Sequence, residues 1–124
     1  MREILFRGKK EHDSEWVYGW YREDCDGKAE IISNKDYYSF YVDPETVGQF
    51  TGLMDKNKTK GFEGDIVSSG SSTGVIVFSC GKFAIRWIVN KDFWSDTILL
   101  HLPNCDIIGN RWDNPELLEV DKNA

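Results

Sequence analysis

Nucleophilic catalysis needs a serine or cysteine within reach of a base, and this chain holds few bases. Its two histidines are His12, in a polar loop, and His101, beside Leu102-Pro103. Cys105 follows four residues after His101, so a Cys–His pair is conceivable. A buried cysteine at a strand end and a solvated histidine account for the same residues more simply. Glu63, Asp65, Asp92 and Asp96 are candidates to converge on a divalent cation or to form an acid–base pair. Turn formation or plain surface charge is the better explanation of each. Glu63 and Asp65 flank Gly64 in a structural turn, where a carboxylate accepts local backbone N–H bonds. Asp24-Cys25-Asp26 and His12-Asp13 lack partners at metal-ligand spacing, and no phosphate-cradling glycine motif precedes a helix. The sequence therefore nominates no catalytic, cofactor-binding or metal-ligating residue, and no cofactor is expected.

Recognition is the remaining chemistry, and the aromatic content points to it. Five Trp, five Tyr and seven Phe supply large apolar surfaces for a thin core or for a partner. In EWVYGWYR, Trp16, Tyr18 and Trp20 fall on one side and Val17, Gly19 and Tyr21 on the other. The aromatic row is expected to be the core side of a small sheet, because aromatics favour pleated, half-buried surfaces. The functional alternative is a stacking or ligand platform. Candidate partner contacts are Phe93 and Trp94 on a long loop, Trp112, and the Tyr37/Tyr38 pair. These features imply a non-catalytic protein-interaction module with an unidentified protein partner, able to self-associate.

Charge and cysteine usage narrow the alternatives. The formal net charge is −6, which disfavours nucleic acid, whose binding rests on clustered positive charge. Binding through a small barrel would require Lys82, Arg86, Lys91 and Arg111 to converge with an aromatic ring. A further alternative is an acidic inhibitor that mimics DNA and occupies a host DNA-binding enzyme. Cys25, Cys80 and Cys105 form an odd set without CxxC spacing, which suits a reducing cytoplasm. No apolar run approaches the roughly 20 residues that span a bilayer, and MREILFRGKK lacks the apolar region of a signal peptide.

The elements that must position these residues are strands. Period-two patterning predicts Arg2–Arg7, Glu15–Arg22, Lys28–Ser33 and Tyr37–Val42, with an Asp26-Gly27 hairpin turn between the second and third. Gly19 in mid-strand predicts a bulge or a close approach by another backbone or ring. Beyond Asp43-Pro44, strands are expected at Thr46–Thr51, Asp65–Ser68, Gly74–Phe78, Phe83–Val89 and Asp106–Trp112. Thr97–Leu102 is a further candidate. Gly48, Gly52, Gly64 and Gly109 are assigned to turns and close approaches, with Gly48 and Gly109 bringing the first and last barrel strands side by side. Helix is nearly absent, apart from one turn at Pro115–Leu118. The fold class is all-β: a meander over 1–43 packed on a small SH3-like five-stranded barrel over 44–124.

One stretch is more specific than its composition. PETVGQFTGLMDKNKTKGFEGDIV, from Pro44 to Val67, resembles the signature of the YopX-like family of small phage and prophage proteins. REILFRG, WVYG, GVIVF, FAIRW and IIGNRWDNPELL fall in the order expected of that family, so the resemblance covers nearly the whole chain. One departure is at Lys58, where many members read Gly after Asn. This leaves the type of that turn open. The resemblance implies an all-β protein with an SH3-like portion, encoded by a phage or prophage, and carries over no catalytic residue or cofactor.

Overall fold

The computed structural model describes residues 3–90 and 93–119, apart from the side chains of Asn90 and Phe93. The chain forms two compact units, Met1–Phe50 and Thr51–Ala124, and passes from one to the other inside a strand.

The first unit contains β1 (Phe6–Lys9), β2 (Trp16–Glu23), β3 (Ala29–Ser33), β4 (Ser39–Tyr41) and the opening residues of β5 (Gly48–Met54). Their antiparallel order is β4-β3-β2-β1-β5. The first ladder starts at Phe6, later than the expected Arg2, because pairing needs partners: Phe6 lies opposite Gly19 on one side and Gln49 on the other. Val17, Ala29, Ile31 and Val42 form the core, with Phe6, Tyr21, Phe40 and Val47 packed around it.

That core reverses the expectation for the aromatic row. Val17 and Gly19 face the core, whereas Tyr18 and Trp20 are exposed. Both sides of EWVYGWYR are apolar, so alternation identifies the strand without identifying its inner side. Two contacts decide the side. Val17 packs with Ala29, Ile31 and Val42, and the missing side chain of Gly19 leaves room for the Ile32 carbonyl. The close backbone approach expected at Gly19 is therefore present.

Local polar contacts shape the connections. Asp24 Oδ1 accepts from the N–H groups of Asp26 and Lys28, both at 2.9 Å, and closes the β2–β3 turn. Where a strand was expected from Thr46, Pro44–Thr46 forms a 3-10 turn capped by the Asp43 carboxylate, and β5 begins only at Gly48. Thr46 Oγ1 accepts from Lys9 N–H at 2.9 Å, which draws this turn onto β1.

The second unit holds the rest of β5 with β6 (Lys60–Phe62), then β7 (Asp65–Ser69), β8 (Ser72–Ser79), β9 (Lys82–Asn90), β10 (Phe93–Ile98) and β11 (Asp106–Asn110). The last five form an antiparallel sheet in the order β10-β9-β8-β7-β11. Among the described residues this sheet is open, and the closed SH3-like barrel is not formed. The barrel's expected opening strand, β5, bonds to β1 and β6, while β11 bonds to β7. Gly48 and Gly109 accordingly lie on strands that do not pair. Val67, Ile76, Ile85, Leu102 and Cys105 form the core of this unit. Burial of each of these isoleucines contributes roughly 1.5–3 kcal/mol.

The long segment after β9 also differs from expectation. Phe93 and Trp94 open a strand instead of sitting on a loop, and the strand candidate Thr97–Leu102 turns at Leu99 into a 3-10 segment, Leu99–Asn104. Two cross-strand links hold β10 in place. Arg86 forks onto Asp96 at 2.9 and 3.1 Å, and Trp87 Nε1–H donates to Thr97 Oγ1 at 2.8 Å. The β8–β9 hairpin turns on two residues with positive φ, Cys80 (54°) and Gly81 (79°), the geometry that matches strand twist.

The turn after β5 is built around a buried carboxylate. Asp55 Oδ1 accepts from Asn57 N–H (2.8 Å) and Thr59 N–H (2.9 Å), and Oδ2 accepts from Ile107 N–H (2.8 Å). Within this turn Lys58 has φ +67°, a conformation that costs a side-chain-bearing residue about 1 kcal/mol. This is the position at which the family signature reads Gly, so Lys58→Gly is expected to stabilise the protein by about 0.5–1 kcal/mol. A rise in the urea midpoint with an unchanged slope would show it, and an unchanged midpoint would mean that the turn relaxes around lysine.

Candidate functional site

On β2 the outward positions are Tyr18, Trp20 and Arg22, two residues apart, so all three project from the same side of the sheet. The β2–β3 register sets Ile32 opposite Trp20 and Glu30 opposite Arg22. The next register adds Ser39 opposite Ile32 and Tyr41 opposite Glu30. The outer side of the first unit is thus an aromatic surface that carries the Arg22–Glu30 ion pair. Arg22 Nε and Nη2 reach Glu30 Oε2 at 3.2 and 3.0 Å.

The β3–β4 turn completes the surface. Tyr37 has φ +65°, and its ring stacks on Trp20 with centroids 6.1 Å apart and planes 7° apart. Tyr37, Tyr38 and Trp20 are 71%, 68% and 47% exposed. At the other end, Tyr41 Oη–H donates to Asp24 Oδ2 at 2.8 Å. The Lys28 N–H bond, followed by the Tyr41 hydroxyl, holds the Asp24 carboxyl below the usual carboxylate range. The same hydrogen bond to a carboxylate pushes the Tyr41 phenol up. Rings of this unit carry cations from the chain itself. Arg7 lies 4.7 Å from the Trp16 ring, Lys28 4.6 Å from Tyr41 and Lys10 4.1 Å from Phe40.

Among the depressions of this unit are two with aromatic linings. One of about 250 Å³ is lined by Trp16, Tyr18, Asn34, Asp36 and Phe40, among others. The other, of about 490 Å³, is lined by residues including Lys10, His12, Asp13, Phe40 and Tyr41. The Asp13 carboxylate there accepts from Glu15 N–H at 3.0 Å.

The residues that could have done other chemistry have structural partners. The Cys105 thiol is buried and donates to the His101 backbone carbonyl at 3.3 Å. Burial pushes its pKa up, which keeps it protonated. Asp65 Oδ2 accepts from Phe62 N–H at 2.9 Å across the Gly64 turn. Asp96 belongs to Arg86, whose hydrogen bond holds its carboxyl below the ordinary range. Among the described residues no group of three or more His, Cys, Asp or Glu is arranged to hold a metal ion. Asp92 and Lys91 lie outside the described residues.

The nominated contact residues are dispersed. Tyr37 and Tyr38 belong to the aromatic surface just described. Trp94 is 55% exposed on β10, with Arg86 5.6 Å from its ring; the Phe93 side chain lies outside the described residues. Trp112 is half-buried and lies over Gly64, where any Cβ would overlap its ring. Gly64 also has φ +95°, so the EGDIV segment is a fixed corner clamped by Trp112. Gly48 sits within β5 opposite Arg7, and Gly52 has φ +92°. Gly109 leaves room for the Asn114 side chain, whose Oδ1 accepts from Asn110 N–H at 3.2 Å. Asn110 Oδ1 in turn accepts from Trp112 and Asp113 N–H groups at 3.1 and 2.9 Å.

The YopX protein family model matches residues 5–119. The chain belongs to the YopX family. No curated protein matches the chain. Among solved structures it is similar to the crystal structure of protein EF1440 from Enterococcus faecalis, with 22% identity and a TM-score of 0.58. That similarity covers 96% of this chain and 100% of the other, and it shows a shared fold. The family signature thus falls largely on residues with structural work: Asp55, Gly64, Asp65, Gly109 and Asn110. Tyr41 is the surface residue that sequence reasoning did not raise, while Tyr18 and Trp20 entered only as the stacking-platform alternative to a core side. The available signal was the period-two row itself, read on its outward side.

No helix among the described residues is long and apolar enough to cross a membrane.

Proposed function

We propose that the protein is a non-catalytic protein-interaction module that docks a polypeptide on the outer aromatic side of its first unit. The observation that carries this proposal is the Trp20–Tyr37 stack, two large rings held parallel and open to solvent. Buried tryptophan and tyrosine are the residues that contribute most at protein interfaces, and they lose little side-chain entropy on docking. The partnering of Cys105, Asp65 and Asp96 within the fold supports a binding role over a catalytic one. The family resemblance to phage and prophage proteins extends the proposal to work inside a bacterial host cell.

The test is capture with a matched variant. Immobilised protein is expected to retain a discrete polypeptide from bacterial extract, and a Trp20→Ala/Tyr37→Ala variant with an unchanged circular dichroism spectrum is expected to lose it. Light scattering over a concentration series checks the case in which the occupant is a second copy. Equal capture by both proteins, together with a constant mass, would rule out this face as the docking surface.

A further inference from the structure

We infer that β10 is a self-association edge, where two copies of the chain join by antiparallel pairing of Trp94–Ile98 about a twofold axis centred on Asp96. The inference concerns the second unit and is independent of the docking role proposed above for the first.

The open edge is the first observation. Among the described residues β10 pairs with β9 on one side and ends its sheet on the other. An edge strand presents a row of backbone N–H and C=O groups that a further strand can complete. The opposite edge, β11, is covered by the Asp55 turn. Lys56 N–H donates to the Cys105 carbonyl (3.0 Å), Ile107 N–H to Asp55 Oδ2 (2.8 Å) and Asn57 Nδ2–H to Asp106 Oδ1 (2.7 Å). In the other sheet the end strands β4 and β6 have three residues each. β10 is longer, and past the irregularity at Phe93/Trp94 its register with β9 runs unbroken to Ile98. It contains neither proline nor lysine, two residues that commonly blunt an edge.

Side chains then select the occupant. Trp94, Asp96 and Ile98 lie opposite Ile88, Arg86 and Ala84, and they share one side of the sheet. Trp94 and Ile98 are each 55% exposed. A twofold axis through Asp96 sets Trp94 of each copy opposite Ile98 of the other, so both apolar side chains gain a cross-strand partner. On the reverse side the same axis sets Ser95 opposite Thr97, a pair able to hydrogen-bond. Moving the axis by one residue sets Asp96 against Trp94 or Ile98, and both matches are lost. The strand therefore complements itself, as a closed twofold interface requires.

Charge permits the contact. A net charge of −6 pushes two copies apart in general, but this edge does not share the excess. Each Asp96 is held by the fork of its own Arg86 at 2.9 and 3.1 Å. The two ion pairs that meet at the axis are neutral together, and Lys82 adds to the cationic surround of Asp96.

Sedimentation equilibrium of the intact chain is the test. The mass is expected to rise toward twice that of the monomer with concentration. Trp94→Lys and Ile98→Asp are each expected to weaken association about tenfold. An equimolar mixture of the two variants should regain it, because the axis sets one substitution directly opposite the other and leaves the second Trp94–Ile98 pair intact. Misfolded variants cannot rescue each other in this way. Trp20→Ala/Tyr37→Ala should associate as the wild type does. A mass constant up to millimolar protein, association unchanged by either single variant, or a mixture no stronger than its components overturns the inference. Association lost in Trp20→Ala/Tyr37→Ala would place the contact on the first unit and also overturn it, while leaving the docking surface standing.

Discussion

Asp55→Ala is expected to destabilise the protein by about 3–5 kcal/mol, a loss large enough to leave many domains of this size partly unfolded. Three backbone N–H groups, from Asn57, Thr59 and Ile107, converge on a carboxylate that is 3% exposed. Alanine leaves all three without that acceptor, and a buried unsatisfied donor costs about 1–3 kcal/mol. Asp55→Asn separates shape from charge. Its carbonyl oxygen can still serve the Asn57 and Thr59 donors, but its NH₂ group then faces Ile107 N–H, at a cost of about 2 kcal/mol.

The pH dependence has a definite sign. Burial alone raises the Asp55 carboxyl, but the Ile107, Thr59 and Asn57 N–H bonds and the nearby Lys56 outweigh it and leave it below the ordinary range. A folded-state pKa below the unfolded value of about 3.9 adds stability that is fully present above that value. The increment disappears as the pH falls through the lower, folded value. Urea titrations should therefore show a wide gap between wild type and Asp55→Asn at neutral pH, narrowing steadily below about pH 4. A gap independent of pH would assign the loss to packing instead of to the ionised carboxylate.

Gly19→Ala is expected to cost about 3 kcal/mol, at the upper end for overpacking by a single methyl group. The added Cβ would overlap the Ile32 carbonyl oxygen and lie 2.8 Å from its carbon and 3.0 Å from Asn34 N. These are backbone atoms, so no side-chain rotation relieves the clash. Displacing them disturbs the Gly19–Ser33 register and the bond from Asn34 N–H to the Tyr18 carbonyl (3.0 Å). The same shift would move the turn that carries Tyr37. Chemical denaturation measures the cost, and a loss under about 1 kcal/mol would show that β3 slides aside freely.

Much of the fold was legible because strands announce themselves by period two, and β2, β3, β7, β8 and β9 fall within a few residues of their expected places. β10 was harder to see. Ser95, Asp96 and Thr97 interrupt its apolar character, and it forms because Arg86 and Trp87 on β9 supply side-chain partners. Closure of a barrel was inferred from five strands and well-placed glycines. Which strands pair depends on long-range contacts such as Phe6 with Gln49, and no local pattern encodes them. The candidate site was half legible. Tyr37 and Tyr38 were nominated as an aromatic pair opening an expected strand, whereas they precede β4, and the outward side of β2 could not be told from its inward side when Val17, Tyr21, Tyr18 and Trp20 are all apolar. The Asp55 knot was hidden for a different reason: one of its three donors, Ile107, lies far along the chain.

The placement of the three cysteines bears on how the molecule can be handled. Cys25 and Cys80 sit exposed at the tips of the β2–β3 and β8–β9 hairpins, while Cys105 is sealed in the core of the second unit. Each compact unit therefore carries one accessible thiol on a turn, away from its packed interior. Maleimide dyes or spin labels can be attached to either unit separately by mutating the other exposed cysteine, with Cys105 left untouched as long as the fold is intact.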